Sequence, residues 1–228
     1  MLPNWFVHFT QTLVSIPARI ALVLFCNLKV EGLANLEGLG ASRGVILASN
    51  HCNQLDSVAL PCALPILSSL GPVYFVALEH KDYKRFPVGR YIYGTWIFRI
   101  LGAYSIKRGL KNYAASLATH VRLLSSGKTV SIYPEGKIHY GEGMGEARGG
   151  VAYLAKETGA PIVPVAITGS KNATLLDLLT FRREIRVAFG HPTYSNYIDE
   201  PDQPEETRHH KAAQKVMYRI AELSVPLQ

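Results

Sequence analysis

The stretch GVILASNHCNQLD, residues 44–56, changes from aliphatic to polar residues in a way that predicts the fold. Gly44 to Ser49 is an aliphatic run typical of a buried β-strand. The polar residues that follow favour a turn, and aspartate, here Asp56, often stands at the beginning of a helix. A strand that leads through a turn into a helix is the repeating unit of α/β proteins.

The same pattern recurs along the 228 residues of the chain. Apolar residues at helical spacing predict helices from Tyr113 to Leu124 and from Gly150 to Glu157. Runs rich in β-branched and aliphatic residues predict five further strands, Val73 to Leu78, Ala103 to Ile106, Thr129 to Tyr133, Ile162 to Thr168 and Ile185 to Phe189. We therefore predict one α/β domain over residues 1–228, with a mixed, largely parallel sheet flanked by helices. Functional sites in such sheets form at the carboxyl ends of the strands.

Residues 1–28 predict an amphipathic helix at the start of this domain. Its apolar residues recur at steps of three or four, while polar residues fall on another side: the apolar set is Trp5, Phe9, Leu13, Ile16, Ile20 and Leu24, and the polar set is His8, Gln11, Ser15 and Arg19. The longest run without a polar residue, Ile20 to Cys26, is far shorter than the roughly 20 residues of a membrane-spanning helix. Two interpretations fit, a helix that lies in a membrane interface and a helix whose apolar side packs on the core.

Composition narrows the classes of function. The formal net charge of +7 favours anionic partners such as lipid headgroups, nucleotide phosphates or nucleic acid. The basic residues are not interleaved with aromatic residues in a recognised module, which argues against nucleic acid. Cys26, Cys52 and Cys62 match no metal-ligand or disulfide spacing, so we predict a reducing compartment and no metal site.

The first polar cluster after a predicted strand contains His51 and Asp56. A turn between strand and helix would bring them together, whereas a regular helix would separate them by about 140°. A neutral imidazole can accept a proton from a hydroxyl group, and a carboxylate on its other nitrogen fixes the tautomer. The sequence has no serine in a nucleophile elbow, so the pair favours direct attack by a substrate hydroxyl. The alternative is structural: Asp56 caps the following helix, and His51 is a hydrogen-bonded turn residue.

Three further clusters involve the ends or the interior of predicted strands. Lys107 and Arg108 suit an anionic group such as phosphate, although a solvated basic turn has the same composition. Glu135 stands in the turn-forming sequence Pro-Glu-Gly, so its carboxylate is held at the sheet edge. Pro164 lies in a predicted strand and Pro161 directly precedes it, and the two prolines indicate either an edge strand or backbone that lines a ligand groove.

In this order the clusters resemble those of the glycerolipid acyltransferases, the family of 1-acylglycerol-3-phosphate acyltransferases. NHCNQLD is similar to the family's His-x4-Asp motif, and GAYSIKR is similar to its second block, a glycine followed six residues later by arginine. YPEGK resembles its Phe-Pro-Glu-Gly block, and APIVPVAI resembles its proline-containing fourth block. The resemblance covers roughly Lys29 to Gly169.

The resemblance implies an O-acyltransferase that moves a fatty acyl group from acyl-CoA or acyl-carrier protein to a lysophospholipid. The implied acceptor is 1-acylglycerol-3-phosphate and the product phosphatidic acid, with His51 as general base and Asp56 as its partner. The residues that it implies for substrate binding are Gly102, Lys107, Arg108, Glu135, Gly136, Lys137 and Pro164. The thioester is a co-substrate, and no further cofactor is expected. Such an enzyme would be monotopic, on the cytoplasmic face of a membrane bilayer.

The chain departs from the family pattern at two places that concern the acceptor. Lys137, Ile138 and His139 stand where the family has Thr-Arg-Ser, and lysine does not reproduce the bidentate contacts of arginine. The family's aromatic-basic-x-glycine segment is present only as Glu146 to Gly149, which keeps the cation Arg148. A different lysolipid acceptor is therefore one alternative. The others are an acyl-thioester hydrolase, in which water replaces the acceptor, and a non-catalytic protein that binds lipids at the membrane surface.

Overall fold

The computed structural model describes residues 1–66, 68–78, 96–106, 112–173, 183–199, 201 and 204–225. Within these ranges seven strands form one sheet: β1 Lys29–Glu31, β2 Val45–Ser49, β3 Val73–Leu78, β4 Ala103–Ile106, β5 Thr129–Ile132, β6 Ile162–Thr168 and β7 Arg186–Phe189. Their order across the sheet is β1-β7-β6-β2-β5-β3-β4, and every neighbouring pair is parallel except β6 and β7. The predicted mixed, largely parallel sheet is confirmed.

Helices flank the sheet in the described part of the chain: α1 Asn4–Cys26, α2 Asp56–Ala63, α3 Trp96–Ile100, α4 Tyr113–Ser125, α5 Gly150–Thr158, α6 Ser195–Ile198 and α7 Glu205–Ser224. A short 3-10 helix covers Leu33–Leu36. The predicted helices α4 and α5 are confirmed to within one residue at each end. α4 begins with a side-chain cap, in which Asn112 accepts a hydrogen bond from Ala115 N, and α5 ends at Gly159 with a φ of 63°.

The centre of the sheet is buried on both faces. In β2, Val45 and Leu47 belong to the apolar cluster under α1 and α2, whereas Ile46 and Ala48 belong to the cluster under α4, α5 and α7. A strand covered on both faces needs apolar residues at every position, which explains the unbroken run in the sequence. Because β2 lies between β5 and β6, the residues that follow it stand at the middle of the carboxyl edge.

Strand β6 is a central strand, so the expectation of an edge strand from its prolines is wrong. β6 lies between β2 and β7. At the amino end of β6, the pairing with β7 stops at Val165, which lies opposite Phe189. Pro164 therefore lies just outside the segment that pairs with β7. The Pro164 carbonyl still accepts a hydrogen bond from Gly190 N at 2.8 Å. The missing amide hydrogen of Pro164 therefore breaks no pair of the sheet.

Helix α1 turns its polar residues toward the domain and its apolar residues outward. Thr10 Oγ1 donates to Ile100 O, and Arg19 Nη1 donates to Leu64 O, both at 2.8 Å. The apolar set predicted from the sequence is exposed along the helix: Trp5, Phe9, Leu13, Ile16, Ile20 and Leu24. The interpretation that this side packs on the core is therefore wrong.

By length and composition, α1 is the one described helix that would be able to cross a membrane, so the short run without polar residues does not exclude a span. The hydrogen bonds of its polar side to the domain favour a helix that lies along the protein.

Candidate active site

The turn between β2 and α2 is fixed to the strand beside it. The Asn50 side chain donates to Ile167 O and accepts from Ile167 N, both at 2.8 Å. The Asn50 side chain thus binds both the N–H and the carbonyl group of Ile167, which lies in β6 beyond the last residue that pairs with β2. Asn53 adds a second attachment, because its Nδ2 donates to Ser170 O at 2.9 Å. Both attachments restrict the position of His51, which lies between these two residues.

His51 and Asp56 are in contact across this turn. His51 Nδ1 lies 3.1 Å from Asp56 Oδ2. The carboxylate is fully buried, whereas 15% of the His51 side chain is exposed. The contact that the sequence predicts is confirmed, and the turn allows it because α2 begins only at Asp56.

Asp56 binds the turn rather than the helix that it begins. Its Oδ2 accepts hydrogen bonds from Cys52 N and Asn53 N, both at 2.8 Å, and both residues precede α2. The N-cap residue of α2 is Leu55, which makes no side-chain cap hydrogen bond in the described structure. The helix-cap alternative for Asp56 is therefore wrong, and the carboxylate holds together the turn that carries His51.

Asp56 has a second buried partner, Ser170, which is not among the residues predicted from the sequence. Ser170 Oγ donates to Asp56 Oδ1 at 2.6 Å, and both side chains are fully buried. The two residues are 114 positions apart, so no local pattern links them. The available signal was the location of Ser170 just after β6, at the same sheet edge. Donors to both oxygens stabilise the charge of the carboxylate and fix its orientation toward His51.

The contacts of Asp56 select the tautomer of His51. An ionised carboxylate can only accept hydrogen bonds, so the hydrogen between the two side chains is carried by His51 Nδ1. Nε2 then has a lone pair and can accept a proton from a substrate hydroxyl. The arrangement can therefore perform general-base chemistry at the sheet edge.

Cys52, next to His51, is not a good nucleophile. Burial raises the pKa of its thiol, and the nearby Asp56 carboxylate raises it further. A raised pKa disfavours the thiolate, the reactive form of cysteine. Among the residues that the structure describes, no three His, Cys, Asp or Glu side chains gather as metal ligands.

Glu135 joins its turn to the backbone of His51. Its carboxylate is 4% exposed and accepts hydrogen bonds from His51 N at 3.0 Å and from Gly145 N at 3.1 Å. His139 N donates to His51 O at 2.7 Å. Both polar groups of the His51 backbone are thus bound by one turn, so Glu135 fixes the position of the imidazole through the main chain.

Gly136 lies beneath the side chain of Arg148. Its φ of 65° is in the left-handed region, and an added Cβ would lie 2.8 Å from Arg148 Cδ. Glycine therefore allows the arginine side chain to cross this turn. Arg148 and Lys137 are both exposed, so two cations lie close to the turn that holds His51.

Of the other residues implied for substrate binding, the structure describes Gly102 and Pro164, and it places both outside this cluster. Gly102 precedes β4, where its φ is 77° and an added Cβ would lie 2.9 Å from Gln11 Nε2 of α1. This geometry gives Gly102 a packing role at the amino end of the strand. Pro164 is buried within the sheet, opposite Ala48. Lys107 and Arg108 lie outside the described residues.

The sequence matches a known family and known relatives. The profile of the family described as Acyltransferase matches residues 27–168. A protein of Mycoplasma pneumoniae named "Probable 1-acyl-sn-glycerol-3-phosphate acyltransferase" is 27% identical over 133 residues, which cover 56% of this chain and 46% of that protein. The chloroplastic 1-acyl-sn-glycerol-3-phosphate acyltransferase BAT2 of Brassica napus is 25% identical over 197 residues, which cover 85% and 52%. The chain spans about half the length of these curated relatives.

A solved structure shares the fold. The crystal structure of the 1-acyl-sn-glycerophosphate (LPA) acyltransferase PlsC from Thermotoga maritima matches with a TM-score of 0.64 and 19% sequence identity. The match covers 97% of this chain and 81% of that one. At this identity the likeness concerns the fold alone.

Proposed function

The chain belongs to the Acyltransferase family, and from this premise we propose that it transfers a fatty acyl group from a thioester to a lysophospholipid hydroxyl. The observation that carries the proposal is the contact between His51 Nδ1 and the buried Asp56 carboxylate at the carboxyl edge of the sheet. The curated relatives are named 1-acyl-sn-glycerol-3-phosphate acyltransferases. We therefore propose 1-acylglycerol-3-phosphate as the acceptor and phosphatidic acid as the product.

His51 is the general base of the proposed reaction. Nε2 takes the proton of the acceptor hydroxyl while the oxygen attacks the carbonyl carbon of the thioester. Asp56 stabilises the imidazolium that forms, because its carboxylate accepts the Nδ1 hydrogen. The carbon–sulfur bond of the tetrahedral intermediate then breaks, and the imidazolium returns its proton to the leaving thiolate. The products are the new ester and a free thiol, that of coenzyme A or of an acyl-carrier protein.

Cations near the turn are candidates to bind the phosphate of the acceptor. Arg148 crosses Gly136, and its guanidinium group is able to bind phosphate oxygens through two hydrogen bonds. Lys137 adds a second exposed cation on the same turn. Lys107 and Arg108 keep the phosphate-binding role that the family resemblance implies for them. Glu135, by contrast, is proposed to position His51 rather than to touch the acceptor, since both of its oxygens accept backbone hydrogen bonds.

We propose that α1 lies in the membrane interface, so that the enzyme is monotopic and faces the cytoplasm. An exposed apolar side opposite a polar side bonded to the domain supports this position. Burying one large aliphatic or aromatic side chain contributes about 1.5–3 kcal/mol. The net charge of +7 adds attraction to an anionic leaflet, about 1 kcal/mol for each Lys or Arg near its surface.

Substituting the exposed apolar side of α1 should release the protein from membranes. We expect Phe9→Ser combined with Leu13→Ser to lower the vesicle-bound fraction at least about 10-fold, because two apolar side chains no longer enter the interface. Co-sedimentation with anionic phospholipid vesicles measures this fraction. The control is Tyr218→Ser on α7, since Tyr218 is as exposed as Leu13, at 63% for both residues. Equal vesicle binding by the α1 variant and the control would contradict the proposed position of α1.

Loss of the Ser170 hydroxyl should weaken both folding and catalysis. We expect Ser170→Ala to lower the free energy of unfolding by about 1–3 kcal/mol, because Asp56 Oδ1 loses its buried donor. A carboxylate that is less well oriented should also lower kcat about 10-fold, the equivalent of about 1.4 kcal/mol. Urea denaturation and steady-state turnover measure the two effects. Ser126→Ala is the control, since that hydroxyl donates to Arg122 O at an exposed position. A Ser170→Ala variant as stable and active as this control would contradict the role of Ser170.

A panel of acceptors tests the proposed substrate. Purified protein is incubated with labelled palmitoyl-CoA and one lysolipid at a time, and the labelled lipid product is identified. We expect the label in phosphatidic acid when 1-acylglycerol-3-phosphate is present. Label in another phospholipid would show that a different lysolipid is the acceptor, while acyl transfer would remain the reaction. Label only in free fatty acid would support the hydrolase instead.

A further inference from the structure

The aromatic ring of Tyr133 covers one face of the His51 imidazole. The two ring centroids are 3.9 Å apart and their planes differ by 11°, which is a stacked arrangement. Tyr133 directly follows β5 and precedes the turn that contains Glu135, so the sheet brings it to His51 from the neighbouring strand. The Tyr133 ring therefore contacts the imidazole that acts as the base in the proposed reaction.

We propose that Tyr133 is a positioning residue that fixes the plane of the His51 imidazole and stabilises the imidazolium formed during acyl transfer. The inference rests on the proposed function of His51. Asp56 binds one edge of the imidazole, at Nδ1, but a single hydrogen bond leaves the ring able to tilt about that contact. Contact with a flat ring on its face removes this freedom and directs Nε2 toward one position.

Tyr133 is itself held by α2. Its hydroxyl group lies 2.9 Å from Ser57 Oγ, and either group can be the donor. Ser57 follows Asp56 in the first turn of α2. One helix end therefore fixes the imidazole twice, at its edge through Asp56 and at its face through Ser57 and Tyr133.

The stack has a chemical consequence when His51 takes the proton. The face of an aromatic ring attracts a cation, and such contacts contribute about 0.5–2 kcal/mol. Burial raises the pKa of the Tyr133 hydroxyl, so the ring remains a neutral phenol beside the imidazolium. The attraction exists only after proton transfer, so it favours the transition state over the ground state.

Removing the ring should lower kcat and leave substrate binding unchanged. We expect Tyr133→Leu and Tyr133→Met to lower kcat about 10-fold, the equivalent of about 1.4 kcal/mol, with KM for both substrates within about 2-fold of wild type. Tyr133→Phe keeps the ring and loses only the hydrogen bond to Ser57, so it should restore kcat to within about 3-fold of wild type. Steady-state kinetics with palmitoyl-CoA and 1-acylglycerol-3-phosphate measures this split. The use of two aliphatic variants keeps the test available if one of them does not fold.

Nuclear magnetic resonance tests the stack without reference to activity. Protein with isotope-labelled histidine is compared with the His51→Gln variant to assign the His51 ring signal. We expect that signal at high field in the wild type and in Tyr133→Phe, because the facing ring shields it, and at its ordinary position in the aliphatic variants. An ordinary position in the wild type would contradict the stack.

The kinetic outcomes separate this inference from the proposed function. If His51→Gln is inactive but the aliphatic variants turn over at the wild-type rate, the positioning role of Tyr133 is wrong and the function of His51 stands. If His51→Gln turns over at the wild-type rate, the proposed role of His51 as the base is wrong, and with it the catalytic meaning of the stack.

Discussion

Replacing His51 with glutamine should lower kcat for acyl transfer at least about 10²- to 10⁴-fold, the range that general-base assistance contributes. Glutamine retains a polar side chain of similar size but cannot accept the proton of the acceptor hydroxyl. The backbone groups of His51, which bind Glu135 and His139, are unchanged by the substitution. Transfer of labelled palmitate from palmitoyl-CoA to 1-acylglycerol-3-phosphate measures the loss.

The controls for this variant address folding and the choice of histidine. The circular dichroism spectrum of His51→Gln should match that of the wild type, and kcat is divided by the folded fraction from urea denaturation, because the variant loses the contact with the buried Asp56 carboxylate. His191→Gln changes an exposed histidine that follows β7, so it should leave kcat unchanged. A folded His51→Gln variant with wild-type kcat would exclude His51 as the base.

Replacing Asp56 with asparagine should have the second largest effect, a fall in kcat of at least about 10²-fold that does not exceed the effect of His51→Gln, because an amide no longer orients the imidazole or stabilises the imidazolium. Two backbone donors and the Ser170 hydroxyl bind the two oxygens of Asp56. An amide has only one oxygen, so some of these donors face an NH2 group. The variant should therefore also lose about 1–3 kcal/mol of stability for each buried donor left without an acceptor.

Turnover per folded molecule separates the two effects of the Asp56→Asn substitution. The fraction of folded protein is taken from urea denaturation, and kcat is divided by this fraction. Asp199→Asn is the control, because it makes the same change at a partly exposed carboxylate that pairs with Arg208 rather than with His51. A kcat per folded Asp56→Asn molecule equal to that of the control would refute the orienting role of Asp56.

Six of the seven described strands could be predicted from the sequence, because the burial of a strand is local information. Strand β1, whose three residues are partly buried or exposed, was not predicted. A strand covered on both faces, such as β2, is apolar along nearly its whole length. Strands β3, β4 and β6 have the predicted bounds. The His51–Asp56 contact could be predicted for the same reason. It spans one turn, so the residues that allow it are adjacent in the chain.

The remaining site depends on contacts between distant segments. Ser170 and Tyr133 reach the His51–Asp56 pair only because β6 and β5 lie on either side of β2, and strand order is not written in any one segment. The prolines of β6 predict an edge strand, because proline normally disrupts a central strand. Strand β6 can be central because its pairing with β7 stops at Val165, the residue after Pro164. The place of Gly102 at the acceptor is implied only by the family resemblance. In the structure Gly102 precedes β4 and lies against Gln11 of α1, a contact between distant segments.

The spacing of apolar residues in α1 does not predict which side of the helix faces the domain. The spacing of its apolar residues predicts a helix with an apolar side, but it does not specify what that side contacts. The hydrogen bonds from Thr10 and Arg19 to the domain decide the orientation, and they involve backbone carbonyl groups that no side-chain pattern reveals.

The central claim is that His51 activates the hydroxyl of a lysophospholipid rather than water. The most direct test is one reaction in water enriched in the heavy oxygen isotope, with palmitoyl-CoA and 1-acylglycerol-3-phosphate, in which both lipid products are analysed by mass. We predict that phosphatidic acid without heavy oxygen accounts for the thioester consumed, and that His51→Gln forms neither product. Fatty acid that carries heavy oxygen, formed at a rate independent of the lysophospholipid, would contradict the claim.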